Sequence, residues 1–114
     1  MDDYVPMADH LAKLLCDQDY VAIPVYSAAE ALAAAEKCPP QALIADIMMP
    51  GMNGVELACA FADKFPACRT LLMTANRWAD EIFIAGLRFR VLQKPFEPAE
   101  LFEFLVSCAE PSER

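Results

Sequence analysis

The chain has 114 residues, 57% of them hydrophobic, and 17 acidic against 9 basic side chains give it a formal net charge of -8. Such a length holds one domain, and the acidity argues against a nucleic-acid or anionic-membrane surface, which needs clustered positive charge. Cys16, Cys38, Cys59, Cys68 and Cys108 are odd in number and lack C-x-x-C spacing, which argues against a zinc site or a disulfide framework.

Reduced thiols in a cytoplasmic protein are the expectation. No apolar run approaches the roughly 18 residues of a spanning helix, and no basic-then-apolar leader is present, so no membrane association is expected. The hydrophobic share is high for a small soluble domain, and some of it is expected to be covered by a second subunit.

In chain order, the sequence opens on an acidic pair, Asp2-Asp3, with only Met1 before it. Met7, Leu11, Leu14 and Leu15 recur at helical spacing and predict a first helix over 7–15. Residues 21–26 are rich in β-branched side chains and read as a strand, placed at a sheet edge by Pro24, which has no N–H to donate. Ser27 and Glu30 have capping-box spacing before an alanine-rich second helix that runs to Lys37.

After Pro39-Pro40, the run Ala42-Leu43-Ile44-Ala45 is apolar throughout, as a parallel strand covered on both faces would be, and it ends on Asp46. A loop with Pro50, Gly51, Asn53 and Gly54 leads into a third helix carrying Val55, Leu57, Ala58, Phe61, Ala62 and Phe65. Residues 70–73 form another buried strand ending at Thr74. A short helix is expected over 82–87, a last strand over 90–93 ending at Lys94-Pro95, and a final helix from Pro98 through Leu101, Phe102, Leu105 and Val106.

Strands alternating with helices predict an α/β fold, a parallel sheet in three layers with helices on both faces. Ligands of such sheets bind outside the carboxyl ends of the strands. Asp46, Thr74 and Lys94 each stand at such an end.

A carboxylate, a hydroxyl and a lysine in one crevice suit phosphoryl transfer onto the carboxylate. Asp46 would be the nucleophile, Lys94 would neutralise one phosphoryl oxygen, and Thr74 would donate a hydrogen bond to another. An anionic donor and an anionic nucleophile repel each other, so Mg²⁺ is expected, and Asp2 and Asp3 are the acidic pair placed to complete its oxygen shell. Singly, each residue has a blander reading as a turn former, cap or surface charge; their placement on successive strand ends gives the set its weight.

The segments Ala42-Leu-Ile-Ala-Asp-Ile-Met-Met-Pro-Gly-Met-Asn-Gly54, Leu71-Leu-Met-Thr-Ala75 and Gln93-Lys-Pro-Phe96 resemble the receiver domain of two-component response regulators, over almost the whole chain. The resemblance implies a flavodoxin-like fold with Asp46 as phosphoacceptor and Thr74 and Lys94 as its hydroxyl and lysine. It further implies a cis Lys94-Pro95 bond and a Mg²⁺ site of Asp2, Asp3, Asp46 and the Met48 carbonyl, with Asp3 a direct ligand. Ala75 matches the small residue that leaves room for the phosphoryl group, and Met48 and Asn76 fall where receivers tune its lifetime. A histidine kinase or phosphotransfer protein is the implied partner, and small phosphodonors an implied alternative source.

The sequence departs from the family in two places. A strand of about five apolar residues normally precedes the acidic pair, so the chain reads as a receiver truncated at its N-terminus, with four strands. That strand is interior in the order 2-1-3-4-5. Each buried backbone group left unpaired costs roughly 1 to 3 kcal/mol against a domain stability of about 5 to 15 kcal/mol, so the second strand is expected to pair directly with the third, a homodimer to complete the sheet, or the real protein to begin earlier; the high hydrophobic share favours the homodimer. In the second departure, Val91 stands where receivers carry an aromatic switch residue, preceded by Leu87-Arg88-Phe89-Arg90, with Phe89 a candidate substitute.

Two functions are expected: a phosphorylatable signalling receiver, or a pseudo-receiver whose assembly is the signal. An aspartate-nucleophile phosphatase is disfavoured, because Met48 stands where that class has a second aspartate. A domain without a basic segment is not expected to contact DNA.

Overall fold

A computed structural model describes residues 1–47, 53–74, 89–94 and 96–109. In chain order these form α1 (Val5–Cys16), α2 (Ala28–Lys37), β1 (Ala42–Asp46), α3 (Gly54–Lys64), β2 (Arg69–Thr74), β3 (Arg90–Gln93) and α4 (Pro98–Ala109). The helix expected over 82–87 lies outside the described residues.

Local chemistry accounts for the helix starts. Pro6 sits in the first turn of α1, where its missing N–H is no loss. At α2 the Ser27 hydroxyl accepts the Glu30 N–H at 3.1 Å, while the Glu30 carboxylate accepts from Tyr26, one residue before the position a capping box requires. The full reciprocal box is at α3, between Asn53 and Glu56, with hydrogen bonds of 3.0 and 2.9 Å.

The strands run parallel in the order β1-β2-β3. Ala42 pairs with Arg69 through to Asp46 with Met73, and Leu71 pairs with Arg90 through to Thr74 with Gln93. Side chains alternate across the sheet and feed two cores. On one face Leu43, Ala45 and Leu72 pack with Ala31 and Ala35 of α2 and Leu57 and Phe61 of α3. On the other, Leu71, Met73 and Leu92 pack with Leu11 and Leu15 of α1 and Leu101, Phe104 and Leu105 of α4. Helices therefore cover both faces, as the alternating pattern predicts.

The strand expected over 21–26 does not form, so the described sheet has three strands and not four. β-branched composition favours extended backbone, but a strand also needs a partner ladder. The Asp2 N–H donates to the Val25 carbonyl at 3.2 Å, while Val21 and Ile23 are 95% and 67% exposed.

Met1, directly before the acidic pair, is tied to β1 on both sides. The Met1 amine donates to the Ile44 carbonyl at 2.5 Å, and the Met1 carbonyl accepts the Asp46 N–H at 3.0 Å. Those two bonds are a parallel ladder one residue long, and Met1 and Asp2 are both buried. Among the described residues no helix is long and apolar enough to cross a membrane, and Cys16 and Cys38 are free thiols.

Candidate functional site

Three strand ends converge as the register requires. Asp46 closes β1, Thr74 closes β2 one step beyond the Met73 that faces Asp46, and Lys94 directly follows β3. The Lys94 N–H donates to the Thr74 carbonyl at 2.7 Å, fixing the lysine backbone to the end of β2. Asp46 and Thr74 are buried, at 9% and 1% exposure.

The Lys94 ammonium bridges two carboxylates, 3.1 Å from Asp2 Oδ2 and 3.3 Å from Asp46 Oδ2. Asp2 Oδ1 accepts the Tyr4 N–H at 3.1 Å, so both of its oxygens are engaged. Asp3 is exposed. One carboxylate oxygen each from Asp2, Asp3 and Asp46 lies within 4.8 Å of the others. Three carboxylates against one lysine leave an excess of negative charge, and oxygen ligands at this spacing fit a hard divalent cation. Burial pushes the Met1 amine beside them down from 8.0 to about 6, although Asp2 and Asp46 pull the other way.

Gly54 at the start of α3 is part of the same construction. Its N–H donates to the Ile47 carbonyl at 2.9 Å. A Cβ there would fall on the Asp46 carbonyl oxygen and lie 2.8 Å from both the Asp46 carbonyl carbon and Ile47 Cα. The helix start therefore rests directly on the backbone of Asp46 and Ile47, which a side chain would prevent.

The structure thus brings together Asp2, Asp3, Asp46, Thr74 and Lys94. Met48, Ala75, Asn76 and Pro95 lie outside the described residues. Two contributors escaped sequence reasoning. Gly54 reads only as a loop glycine, although its place eight residues after Asp46, directly after Asn53, was the available signal. The backbone role of Met1 has no sequence signature, since a one-residue ladder shows no periodicity.

A family model described as "Response regulator receiver domain" matches residues 1–106. The regulatory protein VanR of Enterococcus faecium is 31% identical over 104 residues, covering 89% of this chain and 44% of VanR. The chain therefore spans less than half of that curated relative. Among solved structures, the chemotaxis protein CheY4 of Vibrio cholerae aligns with a TM-score of 0.82 at 25% identity, over 94% of this chain and 92% of that one. A response regulator from Chloroflexus aurantiacus aligns at 0.81 and 30% identity, over 95% and 92%. The flavodoxin-like expectation holds.

Proposed function

The chain belongs to the receiver domains of two-component response regulators, and from that premise we propose that Asp46 accepts a phosphoryl group from a histidine kinase or phosphotransfer protein. The observation that carries this reading is the Lys94 ammonium set between Asp2 and Asp46 at the end of the sheet. An Asp46 oxygen attacks phosphorus, the phosphorus–nitrogen bond of a phosphohistidine breaks, and the imidazole leaves with that electron pair. Lys94 lies close enough to move from the Asp46 oxygen to a phosphoryl oxygen as charge builds there, and the Thr74 hydroxyl is the donor for another.

Asp2, Asp3 and Asp46, with the Met48 carbonyl, would hold Mg²⁺, which would offset the repulsion between donor and nucleophile. The acidic cluster supports this ligand set. The same chemistry admits a small acyl phosphate as donor, a cytoplasmic location beside a kinase, and no contact with DNA from so acidic a chain.

Incubation with a small acyl phosphate and Mg²⁺, followed by intact mass, tests the reading. A single phosphoryl adduct, absent from Asp46→Asn, is expected; no adduct, or one that survives the substitution, overturns it. A second reading, in which assembly is the signal, is favoured by the exposure of Val21 and Ile23 beside an incomplete ladder. Self-association to a homodimer follows from it, and a monomer in sedimentation at micromolar concentration would refute it.

A further inference from the structure

At the opposite end of the sheet from Asp46, a cavity of about 360 Å³ opens where β2 and β3 begin, beside α4 and the connection that follows α3. Arg69 and Thr70 line it from β2, Phe89 and Arg90 from the start of β3, and Phe104 and Ser107 from α4. Six residues of β2 separate the two ends, roughly 17 Å at the rise of a parallel strand.

The charge there runs against the rest of the chain. Lys13, Lys64 and Lys94 each pair with a carboxylate, whereas among the described residues Lys37, Arg69 and Arg90 have no ion pair. Leu71 pairs with Arg90, and Arg69 is two residues before Leu71, so period-two alternation puts both arginines on one face as diagonal neighbours. Among the described residues no carboxylate lines the cavity; Glu103 borders the next groove, which Arg90 also lines. Arg69 and Arg90 place two positive charges at this end of a chain of net charge -8, a setting that favours an anion between them.

We infer that this cavity binds a small oxyanion, carboxylate or phosphate, carried on an aromatic or branched apolar body. Planar guanidiniums match the geometry of such anions bidentately. The Thr70 and Ser107 hydroxyls add donor capacity, although the Ser107 hydroxyl donates to the Phe104 carbonyl at 2.7 Å when no ligand competes. Phe89 and Phe104 supply an apolar wall, and the volume is at the lower end of the range for small-molecule sites, about 300 to 1,000 Å³. Occupancy would reach the strand starts and α4 together, as an input separate from Asp46.

Amide chemical shifts of the full chain, followed without divalent cation so that the acidic site does not take up phosphate, test the inference. The probes are phenyl phosphate, benzoate and inorganic phosphate. Saturable shifts at Arg69, Thr70, Arg90 and Ser107 with phenyl phosphate or benzoate are expected, and whichever saturates identifies the anion. Binding should weaken about tenfold in Arg90→Gln, an exposed position where the substitution leaves the fold intact. No saturable shifts at these amides, or unchanged affinity in Arg90→Gln, would overturn the site. Inorganic phosphate binding as tightly as phenyl phosphate would overturn the apolar part of the assignment.

Discussion

Gly54→Ala tests how tightly the start of α3 is seated on the strand that ends at Asp46. The added methyl would meet the Asp46 carbonyl and sit 2.8 Å from two further backbone atoms, more than half an ångström inside the 3.4 Å at which ordinary contact begins. Flexible side chains can yield to such an intrusion. Asp46 and Ile47 cannot, because the Asp46 N–H is held by Met1 and the Ile47 N–H by the Met73 carbonyl at 2.8 Å.

Overpacking costs about 1 to 3 kcal/mol, and a clash with fixed backbone belongs at the top of that range. Replacing glycine in a helix returns up to about 1 kcal/mol, and less in the first turn. The net loss is about 2 kcal/mol, a fall of roughly 1 M in the urea midpoint at an m-value of about 2 kcal/mol/M. Because the Asp46 backbone must move, the initial rate of adduct formation from a small acyl phosphate should fall by about tenfold or more.

Ser27→Ala is the control: it removes the cap of a remote helix, costs about 1 kcal/mol, and should leave that rate unchanged. A Gly54→Ala protein with an equal or higher midpoint and an unchanged rate would refute the reasoning.

Removing the lysine should cost more than removing the aspartate it pairs with. Lys94→Ala leaves the Asp2 side chain, 2% exposed, without its counter-charge and should destabilise the protein by about 3 kcal/mol in metal-free urea melts, with Mg²⁺ recovering part of the loss. Asp46→Asn should be neutral or stabilising in the same melts, because it relieves repulsion among carboxylates within 4.8 Å of each other. In protein with a free Met1 amine, burial lowers that group from 8.0 to about 6. Between those values the unfolded chain binds a proton that the folded chain does not, so the stabilisation present above pH 8 is lost as pH falls through 6. Its ceiling is about 3 kcal/mol, and acetylating Met1, which keeps an N–H but no charge, should abolish that part of the pH dependence in urea midpoints. Asn53→Ala should cost about 1 to 2 kcal/mol through loss of the capping box, read by thermal melting.

What was readable from the residues follows the range of the interactions involved. Helical periodicity and caps act over three or four positions, so α1, α2, α3 and α4 are anticipated to within a residue or two, and the apolar runs ending at Asp46 and Thr74 locate β1 and β2. Asp46, Thr74 and Lys94 were legible as a set because a parallel sheet delivers its strand ends to one side. The segment 21–26 was misread because propensity cannot report whether a neighbouring ladder exists. The sequence singles out Asp2 and Asp3 as an acidic pair, but the anchorage beside them depends on bonds from Met1 to Ile44 and Asp46, more than 40 residues away in sequence.

The one-residue ladder at Met1 also has a kinetic meaning. An interior strand exchanges its amide protons only when much of the domain opens, whereas a single bridge can open by local unfolding. The Asp46 amide is bonded to Met1, so its hydrogen exchange clocks the opening of that bridge, and Asp2, the next residue, moves with it. The assembled acidic cluster is therefore a population, set by the fraction of molecules with Met1 seated.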